Sequence, residues 1–211
     1  MDILKTAKNS YIKILGAGPG NIDYFTFKLI KEVKSADIIV GDKRILELIK
    51  FITDAQLIYL RSDKNFYNDI ENIKNLSGNV VVLSTGDPMI AGLGKFFDNS
   101  EINPGISSVQ LCASILHKPL NESAIISVRY GNNYDKILAA INSGFRVFIL
   151  PNPYLDLKEN IRKILLLGLD PNKNAAICNN LGLPNEVIVK GKIGELMQHD
   201  INGLNIIFIE P

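Results

Sequence analysis

The residues best placed to do chemistry sit at three glycine-containing corners: Gly16-Ala17-Gly18-Pro19-Gly20, Ser84-Thr85-Gly86-Asp87-Pro88 and Pro104-Gly105-Ile106-Ser107-Ser108. At the central corner the apolar run Val80-Val81-Val82-Leu83 stops abruptly, as a buried parallel strand does at its end. Gly86 permits a turn that a Cβ would resist, and Pro88 fixes φ and removes a donor. Asp87 lies between them. Its carboxylate can accept hydrogen bonds from a ribose or an amine, or cap the segment that follows. At the third corner Ser107, with Gln110 three residues on, fits a capping box that starts a helix over 107–116. Ser108 is not needed for that cap. Its hydroxyl, beside the N–H groups of a helix start, suits a carboxylate or a ribose.

The first corner invites a dinucleotide reading and fails it. The fingerprint needs a glycine at its sixth position, where Asn21 stands, and Pro19 intrudes in the turn. Asp42 can be imagined in the ribose role but comes later after Gly16 than usual, and the Gly-Lys-Ser/Thr of a P-loop is absent. The loop is built for close backbone approach to something other than a pyrophosphate. No Gly-x-Ser-x-Gly elbow is present; His117 and His199 read as surface or helix-end residues, and Cys112 as core.

Composition narrows the class further. The chain has 211 residues, 46% of them hydrophobic, so a sizeable core can form. Its 23 basic and 22 acidic residues leave a net charge of +1, without the basic surplus of a nucleic-acid binder. No apolar run is long enough for a membrane span, and MDILKTAKNS lacks the apolar core of a signal peptide. Cys112 and Cys178 lie far apart without metal-ligand spacing, which predicts reduced thiols, a cytoplasmic location and no metal site.

The elements that must position the corners alternate regularly. Strands are predicted at 11–15, 36–40, 56–60, 80–83 and 101–103, with helical stripes between them at Phe27/Ile30/Val33, Ile45/Leu48/Ile49 and Phe66/Ile70/Ile73. Thr26 is the expected N-cap of the first helix. A further helical stripe is expected after Pro88, at Ile90, Leu93 and Phe97. Lys118-Pro119-Leu120-Asn121-Glu122 is the linker candidate. A second alternation follows: strands at 124–128, 147–150, 175–178, 187–189 and 204–209, and helices around Ile137–Ile141, Leu157–Leu167 and Ile193–Met197. The pattern is α/β, in two consecutive domains (1–118 and 119–211), with βαβ units and a mainly parallel sheet.

GAGPGNIDYFT, STGDPMIAGLG and NPGISSVQLCAS, in this order and spacing, resemble the tetrapyrrole methylases. The likeness spans essentially the whole chain. Within the family it is strongest to members that methylate the C5 meso carbon of a cobalt-precorrin (cobalt-precorrin-7) in cobalamin biosynthesis. The stretches that carry this are ADIIVGDKRIL and PGISSVQLCASILHKPLNESAIISVRYG. Asp42 replaces a family glycine, and Ser127-Val128-Arg129-Tyr130-Gly131 lacks the family's histidine and arginine positions, so no catalytic residue is assigned.

The resemblance implies two α/β domains of the methylase type, a mainly parallel sheet in the first and a mixed one in the second, with S-adenosylmethionine held between the halves. Carried over by motif, Pro19, Gly86, Asp87, Ile90, Ser107 and Ser108 line the cofactor site, with Leu150 and Ala176 at strand ends against the adenosine. Gly16, Gly18, Gly20 and Arg44 border the macrocycle, and Lys43, Arg61, Lys64 and Arg129 are further candidates for its carboxylates. A homodimer is implied. Because the sequence stops at Pro211, any C15-methylating activity is expected on a separate polypeptide. Two alternatives stay open: another family member such as diphthine synthase, against which the Pro-Gly-Ile-Ser-Ser-x-Gln helix argues, and a non-catalytic nucleotide-sensing domain.

Overall fold

The structure, a computed structural model, describes residues 11–129, 131 and 133–211. The readings made on MDILKTAKNS and on Tyr130 fall outside the described residues. The chain divides into two compact units, one up to Ser107 and one from Ser108.

The first unit alternates β1 (Tyr11–Gly16), α1 (Phe27–Ser35), β2 (Ile38–Gly41), α2 (Lys43–Ile49), β3 (Gln56–Tyr59), α3 (Phe66–Lys74), β4 (Asn79–Ser84) and β5 (Glu101–Asn103). Its sheet runs β3-β2-β4-β1-β5 with every pairing parallel. Side chains alternate across it. Leu15, Ile39, Val81 and Leu83 pack against α1 and α2, whereas Ile14, Val40, Val80 and Val82 pack against α3 and Phe97. Thr26 caps α1 as predicted, its hydroxyl accepting from Leu29 N at 3.1 Å. The lysine inside β1 has a partner: Lys13 donates to the nearly buried Glu32 at 2.6 Å, and Lys28 reaches the same carboxylate at 3.0 Å.

Strand order explains why the three corners belong together. β4, β1 and β5 are neighbours, Gly16 stands opposite Ser84, and Leu15 stands opposite Asn103. Each corner therefore leaves the sheet at the carboxyl edge beside the next, where open α/β sheets bind ligands.

The expected helix after Pro88 is absent. Residues 88–93 form turns, and only a short 3₁₀ turn, Gly94–Phe96, follows. Two glycines lower helix propensity there. Ala91 takes a left-handed φ of 55°, and the Ser84 hydroxyl captures Leu93 N at 3.1 Å. A Cβ at Gly92 would come within 2.5 Å of the Asp87 carbonyl, so the loop folds back on its own corner.

The second unit comprises α4 (Ser108–Leu116), β6 (Ser123–Ser127), α5 (Tyr134–Asn142), β7 (Arg146–Leu150), α6 (Leu157–Leu166), β8 (Asn174–Asn179), β9 (Val187–Lys192), α7 (Ile193–Leu196) and β10 (Asn205–Ile209). Its sheet is mixed: β6-β7-β10-β8-β9, with only β6 and β7 parallel. Val147, Ile149, Ala175, Ile177, Ile207 and Ile209 join residues of α5, α6 and α7 in one core. The alternate residues face the other way, and α4 packs on that side. Contacts thus group α4 with the residues that follow it, ahead of the Lys118–Glu122 linker candidate.

The two cysteines are not the reduced thiols that their spacing predicts. Cys112 of α4 and Cys178 of β8, both fully buried, are paired as a disulfide with Cα atoms 6.0 Å apart. Their separation of 66 residues gave no local signal of that pairing. No helix among the described residues is long and apolar enough to cross a membrane.

Candidate functional site

The first unit builds its site from backbone rather than from side chains. Gly18 and Gly86 form an isolated bridge, Gly86 N donating to Gly18 O at 2.6 Å and Gly18 N to Gly86 O at 3.3 Å. Ala17 N donates to Ser84 O at 2.8 Å, so the first corner is clipped to the second at successive residues. Gly16 and Gly105 lie backbone against backbone. A Cβ on Gly16 would sit 2.8 Å from Gly86 O, and one on Gly105 would sit 2.6 Å from Gly16 Cα.

Asp87, only 9% exposed, ties the central corner to the third. One carboxylate oxygen accepts from Met89 N at 2.7 Å and the other from Gly105 N at 3.1 Å. Asp87 thus caps a turn rather than a helix. Ser107 is buried immediately before α4, and Ser108, half-buried, is the first residue of that helix. Gly86 is the exception to the tight packing. It has a left-handed φ of 71°, and the nearest atom to a Cβ there would be Ser107 Cα at 3.8 Å. That open space at half-buried Gly86 is a cradle where a ligand would meet backbone.

Pro19 is buried in the first corner. Arg44, in the first turn of α2 with its own N–H held by Asp42 at 2.8 Å, turns its guanidinium back, and Nη1 donates to Pro19 O at 2.8 Å. Of the other basic candidates, Arg61 is matched by Asp69 in a two-pronged pair of 3.0 and 2.7 Å.

In the second unit Leu150 is the last residue of β7. It precedes a cavity of about 300 Å³ lined by Arg129, Asn152, Leu155, Asn160, Leu204 and Asn205, at the carboxyl ends of the parallel pair. Ala176 lies inside β8 rather than at its end, in register with Phe208, and borders a second cavity of about 490 Å³ with Leu116, Lys118 and Glu210. Among the described residues no group of three or more histidines, cysteines or carboxylates could hold a metal.

Sequence reasoning missed the polar hub beside Leu150. Asn160, 1% exposed within α6, accepts from Asn152 N at 2.9 Å and Tyr134 OH at 3.0 Å. Its amide donates to the carbonyls of Asn152, Leu155 and Asp156. Burial pushes the Tyr134 phenol pKa up, keeping it a donor. The signal was an asparagine on the Leu157/Ile161/Ile164 stripe, where an apolar residue belongs. Asn180, also missed, turns the chain after β8 with φ 49° and holds Leu204 by bonds of 2.8 and 3.0 Å.

Parallel strands bring the three glycine corners together at one edge of the first unit's sheet. The chain belongs to the tetrapyrrole (corrin/porphyrin) methylases, whose family model matches residues 12–197, and is an S-adenosylmethionine-dependent methyltransferase acting on tetrapyrroles. It is 33% identical, over 94% of its length and 97% of the relative's, to the probable cobalt-precorrin-7 C(5)-methyltransferase of Methanocaldococcus jannaschii. The crystal structure of a cobalamin-biosynthesis precorrin-6Y methylase from Archaeoglobus fulgidus is 26% identical and superposes with a TM-score of 0.71 over 95% of this chain and 97% of that one. The uroporphyrin-III C-methyltransferase of Thermus thermophilus, solved with S-adenosylhomocysteine, shares the fold at 19% identity, with a TM-score of 0.71 over 95% and 97% of the two chains.

Proposed function

We propose that this chain transfers a methyl group from S-adenosylmethionine to the C5 meso carbon of cobalt-precorrin-7 in cobalamin biosynthesis. The observation that carries the reading is full-length similarity to the Methanocaldococcus protein of that description, 33% identical over 94% of the chain. The donor brings an already activated methyl on a sulfonium, so alignment of donor and acceptor is the protein's main task.

In this reading Pro19, Gly86, Asp87, Ile90 and Ser107 line the donor in the first unit. Ser108, Leu150 and Ala176 are its contacts in the second. The open space at Gly86 supports that role, because the donor can lie on backbone there without displacing a side chain. Asp87, already accepting two backbone N–H groups, holds the corner's shape and has lone pairs left for a donor hydroxyl or amine. Gly16, Gly18 and Gly20 form the macrocycle side. A homodimer and a separate C15-methylating partner complete the proposal.

The test is turnover. Purified protein with cobalt-precorrin-7 and methyl-labelled donor should yield a product heavier by one labelled methyl, located on C5 by NMR. Labelling at another position, or of a different tetrapyrrole in preference, would contradict the C5 assignment.

A further inference from the structure

We infer that Arg44 is a positioning residue for the methyl donor, acting through the Pro19 carbonyl rather than by touching the macrocycle. The inference rests on the assignment of Pro19 to the donor site made above.

Three observations carry it. The Arg44 side chain spans from α2 back to the first corner, and its Nη1 donates to Pro19 O at 2.8 Å, a charge-assisted bond in a half-buried setting. The guanidinium occupies the space of an absent side chain at residue 20: a Cβ on Gly20 would lie 2.7 Å from Arg44 Cζ. Gly20 also has a φ of 105°, so glycine there serves both the turn and the guanidinium lying over it.

The loop is thereby held at both ends. At its entry Ala17 and Gly18 are bonded to Ser84 and Gly86; at its exit Arg44 holds the peptide of Pro19. Proline cannot add a donor of its own, so the carbonyl is the only backbone polar group through which that residue can be fixed. Among the described residues no carboxylate is paired with this guanidinium as Asp69 is with Arg61.

The experiment compares S-adenosylhomocysteine binding by calorimetry with steady-state kinetics for wild type, Arg44→Ala, Arg44→Gln and Arg44→Lys. Arg44→Ala should weaken S-adenosylhomocysteine by about tenfold or more, the range of a charged hydrogen bond, and leave the tetrapyrrole KM at saturating donor unchanged. Lysine and glutamine, which keep a donor, should recover part of the affinity. Millimolar methylguanidinium added to Arg44→Ala should restore more of it by refilling the slot over Gly20. If Arg44→Ala does not fold, the lysine and glutamine variants carry the comparison. Unchanged donor affinity with a raised tetrapyrrole KM would overturn the inference and make Arg44 a macrocycle contact. Absence of S-adenosylhomocysteine binding by the wild type would instead overturn the donor-site reading, and this inference with it.

Discussion

Gly16 and Gly105 pack backbone on backbone, so close that a Cβ on Gly105 would stand 2.6 Å from Gly16 Cα. Two of the three sequence motifs therefore meet at the residues that lack side chains, and the third joins them through Gly86 O. Gly105→Ala should destabilise the fold by about 1–3 kcal/mol, the usual cost of overpacking a tight site. Gly86→Ala should behave differently. Its Cβ meets nothing closer than 3.8 Å, so only the left-handed φ is penalised, by roughly 1–2 kcal/mol, while ligand affinity falls because the cradle is filled. Urea midpoints and S-adenosylhomocysteine titrations of the two variants separate these effects; equal loss of affinity at equal loss of stability would contradict the distinction.

Asn160 is the polar hub beneath the loop after β7, with Asn152, Leu155, Asp156 and Tyr134 as its partners. Asn160→Leu removes the acceptor of Asn152 N and of the buried Tyr134 hydroxyl, while the Asn152 and Asp156 carbonyls keep Leu155 N and Asn160 N. The expected loss is about 2–4 kcal/mol, from more than one unsatisfied group. Amide exchange over 151–156 should quicken with it. Unchanged protection of Asn152 would show that the hub does not hold that loop.

The Cys112–Cys178 link closes a loop of 66 residues between α4 and β8. Chain-entropy reasoning assigns it about 4 kcal/mol. Protein denatured without reductant should show no titratable thiol, and prior reduction should lower the unfolding midpoint. Two thiols in the unreduced, denatured protein would contradict the pairing.

Glu32 carries a pH prediction. Hydrogen bonds from Lys13 and then Lys28 hold its carboxyl below the ordinary carboxylate range, more than offsetting the opposing effect of burial. A carboxyl whose folded pKa is depressed contributes stability above its unfolded value, near 4.5, and loses it as pH falls through the folded value. Unfolding midpoints should therefore drop from pH 5 downward, and less steeply in Glu32→Gln. Identical acid profiles for the two proteins would refute the link.

Much of this architecture was legible in the sequence because each strand–helix alternation carried its own punctuation. Thr26 opened α1 where expected, and β-branched runs marked the buried strands. The segment after Pro88 misled because Ile90, Leu93 and Phe97 have helical spacing, while Gly92, Gly94 and the Ser84 hydroxyl fold the chain into turns. The three corners could be recognised singly, but their convergence depends on the order β4-β1-β5, which no local pattern encodes. Arg44 was legible as a cation near a strand end; its Pro19 partner, twenty-five positions away, was not. The disulfide was invisible for the same reason of distance.

The central claim is that the corner built on Gly86 and Asp87 holds the methyl donor. Calorimetric titration with S-adenosylhomocysteine, with NAD as the control, tests it most directly. Binding should be saturable at about one site per chain, with no binding of NAD and a loss of roughly tenfold or more in Asp87→Ala, which frees Gly105 N and loosens the corner. Full affinity in Asp87→Ala, or binding of NAD in place of S-adenosylhomocysteine, would contradict it.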